Sequence, residues 1–385
     1  MNFELTEDQV AYADMAKAFA KNELAPFAAE WDQNHIFPID TIRKAGELGF
    51  CGLYTPEESG GLGLSRLDSS IVFEQLAMGC TSTTAYLTIH NMATWMIASF
   101  GNEETKAEWC PAMTEGRILG SYCLTEPNAG SDAASLKTSA KRANDHYILN
   151  GSKVFISGAG STDVLVVMAR TGEAGAKGVS AFVVDAKSEG ISYGRPEDKM
   201  GWNSQPTRMV TFDNVIVPAS ALLGQEGDGF KIAMKGLDGG RINIATCSLG
   251  TAQAAINQAK AYMHERQQFG KHLADFQALQ FKLADMVTEL VAARQLVRLA
   301  AFKLDSDHPD KTAYCAMAKR YASDIGFKVA DEALQIFGGN GYIKEYPLER
   351  YVRDSRVHRI LEGTNEIMRV IIARRVLMED AADLL

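Results

Sequence analysis

The chain has 385 residues, a formal net charge of −9, 46% apolar and 23% charged residues. That length allows two or three domains with a large core, and the acidic balance argues against a general nucleic-acid binder, which carries a basic face. Six cysteines (Cys51, Cys80, Cys110, Cys123, Cys247 and Cys315) are scattered with no C-x-x-C pair, so they read as reduced core residues rather than a disulfide framework or metal site.

The first stretch, "MNFELTEDQ", is acidic and shows neither a basic leader nor an apolar h-region, so no targeting peptide is expected. No apolar run approaches the ~18 residues of a membrane span. The expected setting is the bacterial cytoplasm, or the mitochondrial matrix for a chain whose leader has been removed. Residues 1–120 read as helices. "LTEDQVAYADMAKAFA" opens with Thr6 and Gln9 at capping-box spacing, where each side chain can satisfy a backbone N–H of the other. Further helices are expected over 67–78 and 83–100. "YTPEESGGLGLS", between the early helices, is loop punctuation; a phosphate cradle would need a strand before it and a Lys-Ser/Thr pair after it.

Residues 121–227 change period. "HYILNG", "KVFISG", "DVLVVMAR", "GVSAFVVDA" and "RMVTFDNVIVP" are short, rich in β-branched and aromatic residues, and bounded by turn formers. They read as closely spaced strands of a compact barrel or sandwich. Residues 228–385 return to long helical periodicity, which suggests a bundle of four helices. In the last of them Ile367/Ile371 and Met368/Ile372 lie one turn apart, as a buried face requires, and Gly338 and Gly339 mark a helix stop. The expected fold is therefore α+β and multidomain: an N-terminal α-helical domain (1–120), a middle β-barrel or sandwich (121–227) and a C-terminal four-helix bundle (228–385).

Zinc spacing, G-x-S-x-G, a Walker loop and a dinucleotide fingerprint are all missing from the sequence. Three other features carry the chemistry. "YCLTEPNAGSD" is either an inter-domain turn or a loop that hydrogen-bonds a polar cofactor through Thr125, Ser131 and backbone amides. "GLDGGRINIA" sets Asp238, Gly239, Gly240 and Arg241 inside a helical region, as a kinked or broken helix or as an anion or amide recognition site. Glu362, before Gly363 and Thr364, is either part of a helix corner capped by Thr364 or a general base whose pKa rises on desolvation.

Taken together, "YCLTEPNAGSDAASLKT", "YILNGSKVFISG", "RQQFGKHLADFQALQFKLADM", "LQIFGGNGYIKEYPLERYVRDSR" and "ILEGTNEIMR" resemble the flavin-dependent acyl-CoA dehydrogenase family, in family order and over nearly the whole chain. "GCTSTTAYLTIHNMATWMIASFGNEE", "GWNSQPTR" and "GLDGGRINIATCSLG" resemble its short branched-chain members. The resemblance implies the same three-domain fold, FAD as cofactor and no metal. It implies a short acyl-CoA substrate with isobutyryl-CoA foremost, and straight-chain butyryl-CoA or 2-methylbutyryl-CoA as alternatives. Electron-transfer flavoprotein is the implied electron acceptor, and a homotetramer built as a dimer of dimers the implied assembly. No nucleic-acid partner or stable membrane insertion is implied.

Roles transfer by motif position. Glu362 matches the catalytic base, which takes the α-proton of the thioester while hydride leaves the β-carbon for flavin N5. Tyr122, Cys123, Leu124, Thr125, Gly130 and Ser131 match the loop against the flavin; Phe155, Ile156 and Ser157 match the strand beside its ring. The family often has Trp and Thr where this chain has Phe155 and Ser157. Arg266, Phe276, Gln277, Gln335, Gly338, Gly339, Thr364 and Glu366 match contacts to the pyrophosphate and adenosine, some of them contributed by a neighbouring subunit. Ser131, Asp238, Gly239, Gly240, Arg241, Leu361, Gly363 and Arg374 match substrate contacts. Leu361 stands where straight-chain relatives often carry Tyr, which leaves room for an α-methyl branch. A non-catalytic acyl-CoA-binding protein and an oxygen-reducing oxidase are the competing readings. Retention of Glu362 argues against the first, and the missing extra domain against the second.

Overall fold

The computed structural model describes residues 4–378. The N-terminal part comprises α1 (Glu7–Phe19), α2 (Ala28–Asn34), α3 (Ile39–Glu47), α4 (Arg66–Gly79), α5 (Thr81–Phe100) and α6 (Glu103–Thr114). The capping box opens α1: Gln9 N–H donates to Thr6 Oγ1 at 3.2 Å and Thr6 N–H to Gln9 Oε1 at 3.1 Å. The helices expected over 67–78 and 83–100 are α4 and α5. α5 is buried nearly all round, although its sequence is rich in threonine. Three of its hydroxyls turn back on the helix, with Thr84 donating to Cys80 O, Thr88 to Ala85 O and Thr94 to His90 O, so these three enter the core already satisfied. Residues 54–65 form a loop with one 3-10 turn at Glu57–Ser59.

The middle part has β1 (Gly120–Cys123), β2 (Ser139–Ala143), β3 (His146–Ser157), β4 (Val164–Arg170), β5 (Val179–Asp185), β6 (Ile191–Tyr193), β7 (Thr207–Pro218) and β8 (Leu222–Leu223). They form one mixed sheet in the order β6-β7-β3-β2-β4-β5-β8, with β1 added parallel to β4. Period-2 alternation divides the sheet between two cores. Val164, Val166 and Met168 of β4 and Val179, Ala181 and Val183 of β5 join residues of α5 and α6. Leu165, Val167, Ala169, Phe182 and Val184 point the other way, into the sheet's own interior. The sequence suggests two strands, "HYILNG" and "KVFISG", but β3 runs through both. Gly151 has φ +146° at a register shift in the β3–β7 ladder, so this glycine makes a bulge and not a turn.

A buried ion pair anchors the loop after β1. Lys153 Nζ donates to Glu126 Oε1 at 2.7 Å and to Leu124 O at 3.0 Å. Glu126 also accepts from the backbone N–H of Thr138 and of Lys137. Burial opposes ionisation of Glu126, but the Lys153 ammonium and these hydrogen bonds outweigh it and hold its pKa below the usual carboxylate value.

The C-terminal part begins with α7 (Gly229–Glu265), continues through a two-residue hairpin of β9 (Gln267–Gln268) and β10 (Lys271–His272), and ends with α8 (Gln277–Asp305), α9 (Lys311–Phe337), α10 (Leu348–Arg356) and α11 (Asn365–Val376). α7, α8 and α9 share a core rich in alanine. α7 passes through "GLDGGRINIA" as one continuous helix, without the break that its glycines suggest. A helical glycine costs ~1 kcal/mol relative to Ala, which burial along this stretch overrides. α11 is shorter and less covered than expected: Met368 is fully buried, but Ile367, Ile371 and Ile372 are only half-buried. The last residues of the expected helix, Glu379 and Asp380, lie outside the described residues. All six cysteines are buried and free, and among the described residues no helix is long and apolar enough to cross a membrane.

The Glu126–Lys153 pair generates a stability expectation. Lys153→Met leaves a buried carboxylate without its cation, at a cost of about 3–5 kcal/mol. Thermal melts should show a marked fall in Tm for Lys153→Met, and a smaller fall for the double variant Glu126→Gln/Lys153→Met. Equal melting temperatures for wild type and Lys153→Met would mean that the pair does not hold the loop.

Candidate active site

The middle of α7 has no Cβ at two successive positions, and each bare position receives a charged side chain. A Cβ on Gly240 would lie 3.0 Å from the Glu362 carboxyl carbon and nearer still to Oε2; one on Gly239 would overlap the Arg66 guanidinium. Glycine is needed here for the close approach of a neighbouring group and not for backbone freedom. Beside them, Arg241 Nη1 donates to Asp238 Oδ1 at 2.6 Å, and Thr312 Oγ1 donates to Asp238 Oδ2 at 2.7 Å. Both members of this pair are buried, and burial raises the Asp238 pKa against the pull of Arg241. Arg241 Nε has no partner.

Glu362 reaches this surface from the turn between α10 and α11. Its φ is +54° and that of Gly363 is +87°, so two successive residues take the left-handed conformation. For a glutamate that conformation is uncommon and costs of order 1–3 kcal/mol. The turn ends at Thr364, whose Oγ1 accepts from Ile367 N–H at 3.2 Å and so caps α11. The Glu362 residue is only half-buried as a whole, yet its Oε2 is fully enclosed and accepts no hydrogen bond. Burial pushes the carboxyl pKa up to about 7, against the opposing pull of Arg241 and Lys319.

Five further residues complete the surround, none of them singled out by the sequence. The Arg66 guanidinium carbon lies 3.4 Å from the Tyr54 ring centroid and 5.1 Å from that of Trp95. Arg66 is buried and its Nη1 is unpartnered. Tyr54 Oη accepts from Asn243 Nδ2 at 3.3 Å. Lys319, on α9, donates to Gly363 O at 2.7 Å. A lysine in the small-residue stripe of Cys315, Ala318 and Ala322 is an irregularity that could have drawn notice; Arg66 in "LSRLD" gives no such signal.

On the β side, Tyr122, Cys123, Leu124 and Thr125 lie at the end of β1 and the start of its loop. The Tyr122 hydroxyl is buried without a partner, and burial together with the nearby Glu362 charge raises its pKa well above the ordinary value. Thr125 O accepts from Val154 N–H at 2.9 Å, which ties this loop to the end of β3. There Phe155 adopts φ +58° and stands 67% exposed, with Ile156 buried and Ser157 half-buried. Gly130 and Ser131 are exposed on the loop. An exposed aromatic residue, an unspent phenol and an anchored loop of open backbone fit the edge of a planar heterocycle such as the flavin of FAD. They would border its ring.

The remaining residues form a second group. Arg266 follows α7, Gly338 ends α9 with φ +59°, and both border one cavity of about 380 Å³ with Tyr262, Phe337 and Gly339. Phe276 and Gln277 sit at the start of α8 and Gln335 near the end of α9; none of the three lines that cavity. Glu366 and Arg374 are exposed on α11. Along α7, Gly240 and Arg266 are roughly 40 Å apart at 1.5 Å per residue.

An enclosed carboxylate beside residues that fit the edge of a planar heterocycle, set among helical, β and helical parts, suits a flavin-dependent oxidoreductase. The comparisons agree. Family models described as the N-terminal, middle and C-terminal domains of acyl-CoA dehydrogenase match residues 6–117, 121–215 and 227–377. A mitochondrial isobutyryl-CoA dehydrogenase of Bos taurus is 55% identical over 375 residues, covering 97% of this chain and 90% of that protein. The solved structure of butyryl-CoA dehydrogenase from Megasphaera elsdenii superposes with a TM-score of 0.95 at 41% identity, over 98% of this chain and 100% of that one. A structure of PigA with FAD and proline matches with a TM-score of 0.94 at 29% identity, over 98% and 99% of the two chains. The chain belongs to the acyl-CoA dehydrogenase family and is an FAD-dependent acyl-CoA dehydrogenase.

The raised Glu362 pKa links stability to pH. A carboxyl that titrates at about 7 when folded, against its ordinary 4.5, binds its proton more tightly in the folded state. Its favourable contribution is complete below about pH 4.5 and is lost as pH rises through about 7. Glu362→Gln cannot ionise, so it should gain on wild type by up to about 3 kcal/mol between pH 4.5 and pH 8. Paired thermal melts of FAD-loaded protein at the two pH values would read this. A difference independent of pH would refute a desolvated carboxyl.

Proposed function

We propose that the chain dehydrogenates a short branched acyl-CoA, isobutyryl-CoA foremost, at its α and β carbons to give methacrylyl-CoA. Glu362 is the base in this reading. The observation that carries it is the enclosed, unpartnered Oε2 of Glu362, lodged in the space left by Gly240. A thioester α-proton is weakly acidic, so the carboxylate must meet it in a dry site with its pKa near neutrality. Glu362 removes that proton, and the Glu362 backbone N–H is assigned to the charge developing on the thioester oxygen. When bound, FAD supplies the acceptor for the β-hydride. Tyr122, Thr125, Phe155 and Ser157 would border its ring. Ser131, Arg241 and Arg374 are assigned to the acyl-CoA, and electron-transfer flavoprotein to the onward electron transfer.

Leu361 supports the branched preference. It is half-buried and packs against the small cluster of Ala77, Ala85, Trp202, Ile244 and Cys247 beside the base. A leucine at this position leaves space that a tyrosine ring would fill. The 55% identity with a bovine isobutyryl-CoA dehydrogenase points the same way.

A homotetramer built as a dimer of dimers is the assembly this reading carries, and two features support contact with at least one further copy. The 40 Å between Gly240 and Arg266 exceeds the length of one extended flavin dinucleotide, so Arg266, Gly338 and Gly339 would serve the cofactor of a neighbouring copy. On α8, Phe281, Val287, Val291, Leu299 and Phe302 are exposed within an arc of about 120°, an apolar stripe suited to a second copy.

Two kinetic outcomes are expected. Glu362→Gln should retain FAD and bind CoA esters but fail to bleach the flavin under anaerobic mixing with isobutyryl-CoA; bleaching at a near-normal rate would remove Glu362 as the base. Leu361→Tyr should lower kcat/KM for isobutyryl-CoA relative to butyryl-CoA about tenfold, ~1.4 kcal/mol, within the range for a methyl-sized distinction. An unchanged ratio would show that Leu361 does not set the branching preference.

A further inference from the structure

Lys319 is fully buried midway along α9. Its ammonium donates to Gly363 O at 2.7 Å and to Asn365 Oδ1 at 2.9 Å. Gly363 directly follows the base, and Asn365 is the first residue of α11. One cation therefore ties both ends of the 362–365 turn to a different helix. Asn365 is fixed in turn, since its Nδ2 donates to Asp324 Oδ1 at 3.0 Å. The turn needs such an anchor, because Glu362 and Gly363 both sit at positive φ and the glutamate is not intrinsically stable there.

We propose that Lys319 is a positioning residue for Glu362: it holds the left-handed turn from α9 and sets a positive charge against the carboxylate, which keeps the base available near neutral pH. This rests on the reading of Glu362 as the base. The charged and titratable groups around the carboxyl come from four elements: Arg241 on α7, Lys319 on α9, Tyr122 on β1 and Tyr54 in the loop after α3. Around Lys319 stand Glu362, Arg241, Asp324 and Glu366. Burial lowers the Lys319 pKa to about 8, opposed chiefly by the Glu362 charge. The ammonium is thus mostly present at the carboxyl's midpoint near pH 7 and is lost above about pH 8. Arg241 shares its charge with Asp238, whereas the two hydrogen-bond acceptors of Lys319 are a neutral carbonyl and a neutral amide. Asp324 and Glu366 also stand near it, and Arg241 is the larger of the two cationic influences on the carboxyl, so Lys319 acts beside Arg241 and not in its place.

The experiment uses FAD-loaded protein of wild type, Lys319→Gln, Lys319→Met and Lys319→Arg. Two quantities are followed against pH: the rate of anaerobic flavin reduction by isobutyryl-CoA, and the infrared titration of the Glu362 carboxyl, identified as the band lost in Glu362→Gln. Both neutral variants should shift the rising limb and the infrared midpoint upward by about one pH unit, which makes reduction roughly tenfold slower on that limb. Lys319→Met should also lose rate on the plateau, because the turn loses its anchor. Lys319→Arg should return the midpoint to the wild-type value. An unmoved midpoint, with rate lost equally at every pH, would reduce Lys319 to a structural residue and overturn the proposal. Lys319→Gln, which keeps a donor toward Gly363, carries the decision if the Met variant misfolds. Rapid flavin reduction by Glu362→Gln would instead dismiss the base assignment, and the infrared midpoint alone would then decide whether Lys319 governs ionisation of this carboxyl.

Discussion

The site depends on two hydrogen atoms. At Gly239 and Gly240 the side of α7 is bare backbone, and Arg66 and Glu362 occupy the space that two methyl groups would fill. A carboxylate so placed is pressed against a helix wall, out of water and without a hydrogen-bond partner on Oε2. The rest of the local architecture serves this contact. α7 must stay unbroken through its glycines, the preceding turn must take two left-handed residues to reach the helix, and α11 must be capped by Thr364 immediately after the turn.

Desolvation alone would drive Glu362 far from neutrality; the surrounding cations temper it. Burial is the largest influence on its pKa, and Arg241 and Lys319 oppose it. Arg241 is itself bound to Asp238. The carboxyl therefore sits between an apolar surround that favours the acid and two nearby cations that favour the base, and titrates near 7. On the proposed reading of Glu362 as the base, such a carboxyl is strong enough to take a weakly acidic proton and is still ionised in a substantial fraction of molecules at neutral pH.

Much of this was legible in the sequence because it is local. The change from period 3.6 to period 2 near residue 120 and back near 228 marks the helical and β parts. Thr6 with Gln9, and Thr364 before Ile367, are caps that short-range chemistry announces. Glu362 stood out as a lone acid beside Gly363. The failures were tertiary. "GLDGG" looks like a helix break, and only the side chains arriving from α4 and from the 362 turn explain why it is a helix. Gly151 looks like a turn, and only the partner strand β7 makes it a bulge. Arg66 and Tyr54 sit in loop-flanking sequence with nothing to connect them to a residue 300 positions away. The isoleucines of α11 follow a core pattern, but in the fold they are only half-buried.

The six cysteines have a consequence for the redox character of the molecule. All are buried and unpaired, and burial pushes the thiols of Cys51 and Cys123 up to about 12 and that of Cys110 up to about 11. Cys123 directly follows Tyr122, which is proposed to border the flavin, and a thiolate there would be a nucleophile beside an electron acceptor. Kept as a protonated thiol inside the sheet, it is a poor nucleophile and a poor target for oxidants. Buried, protonated thiols thus leave the described part of the polypeptide with little cysteine reactivity of its own.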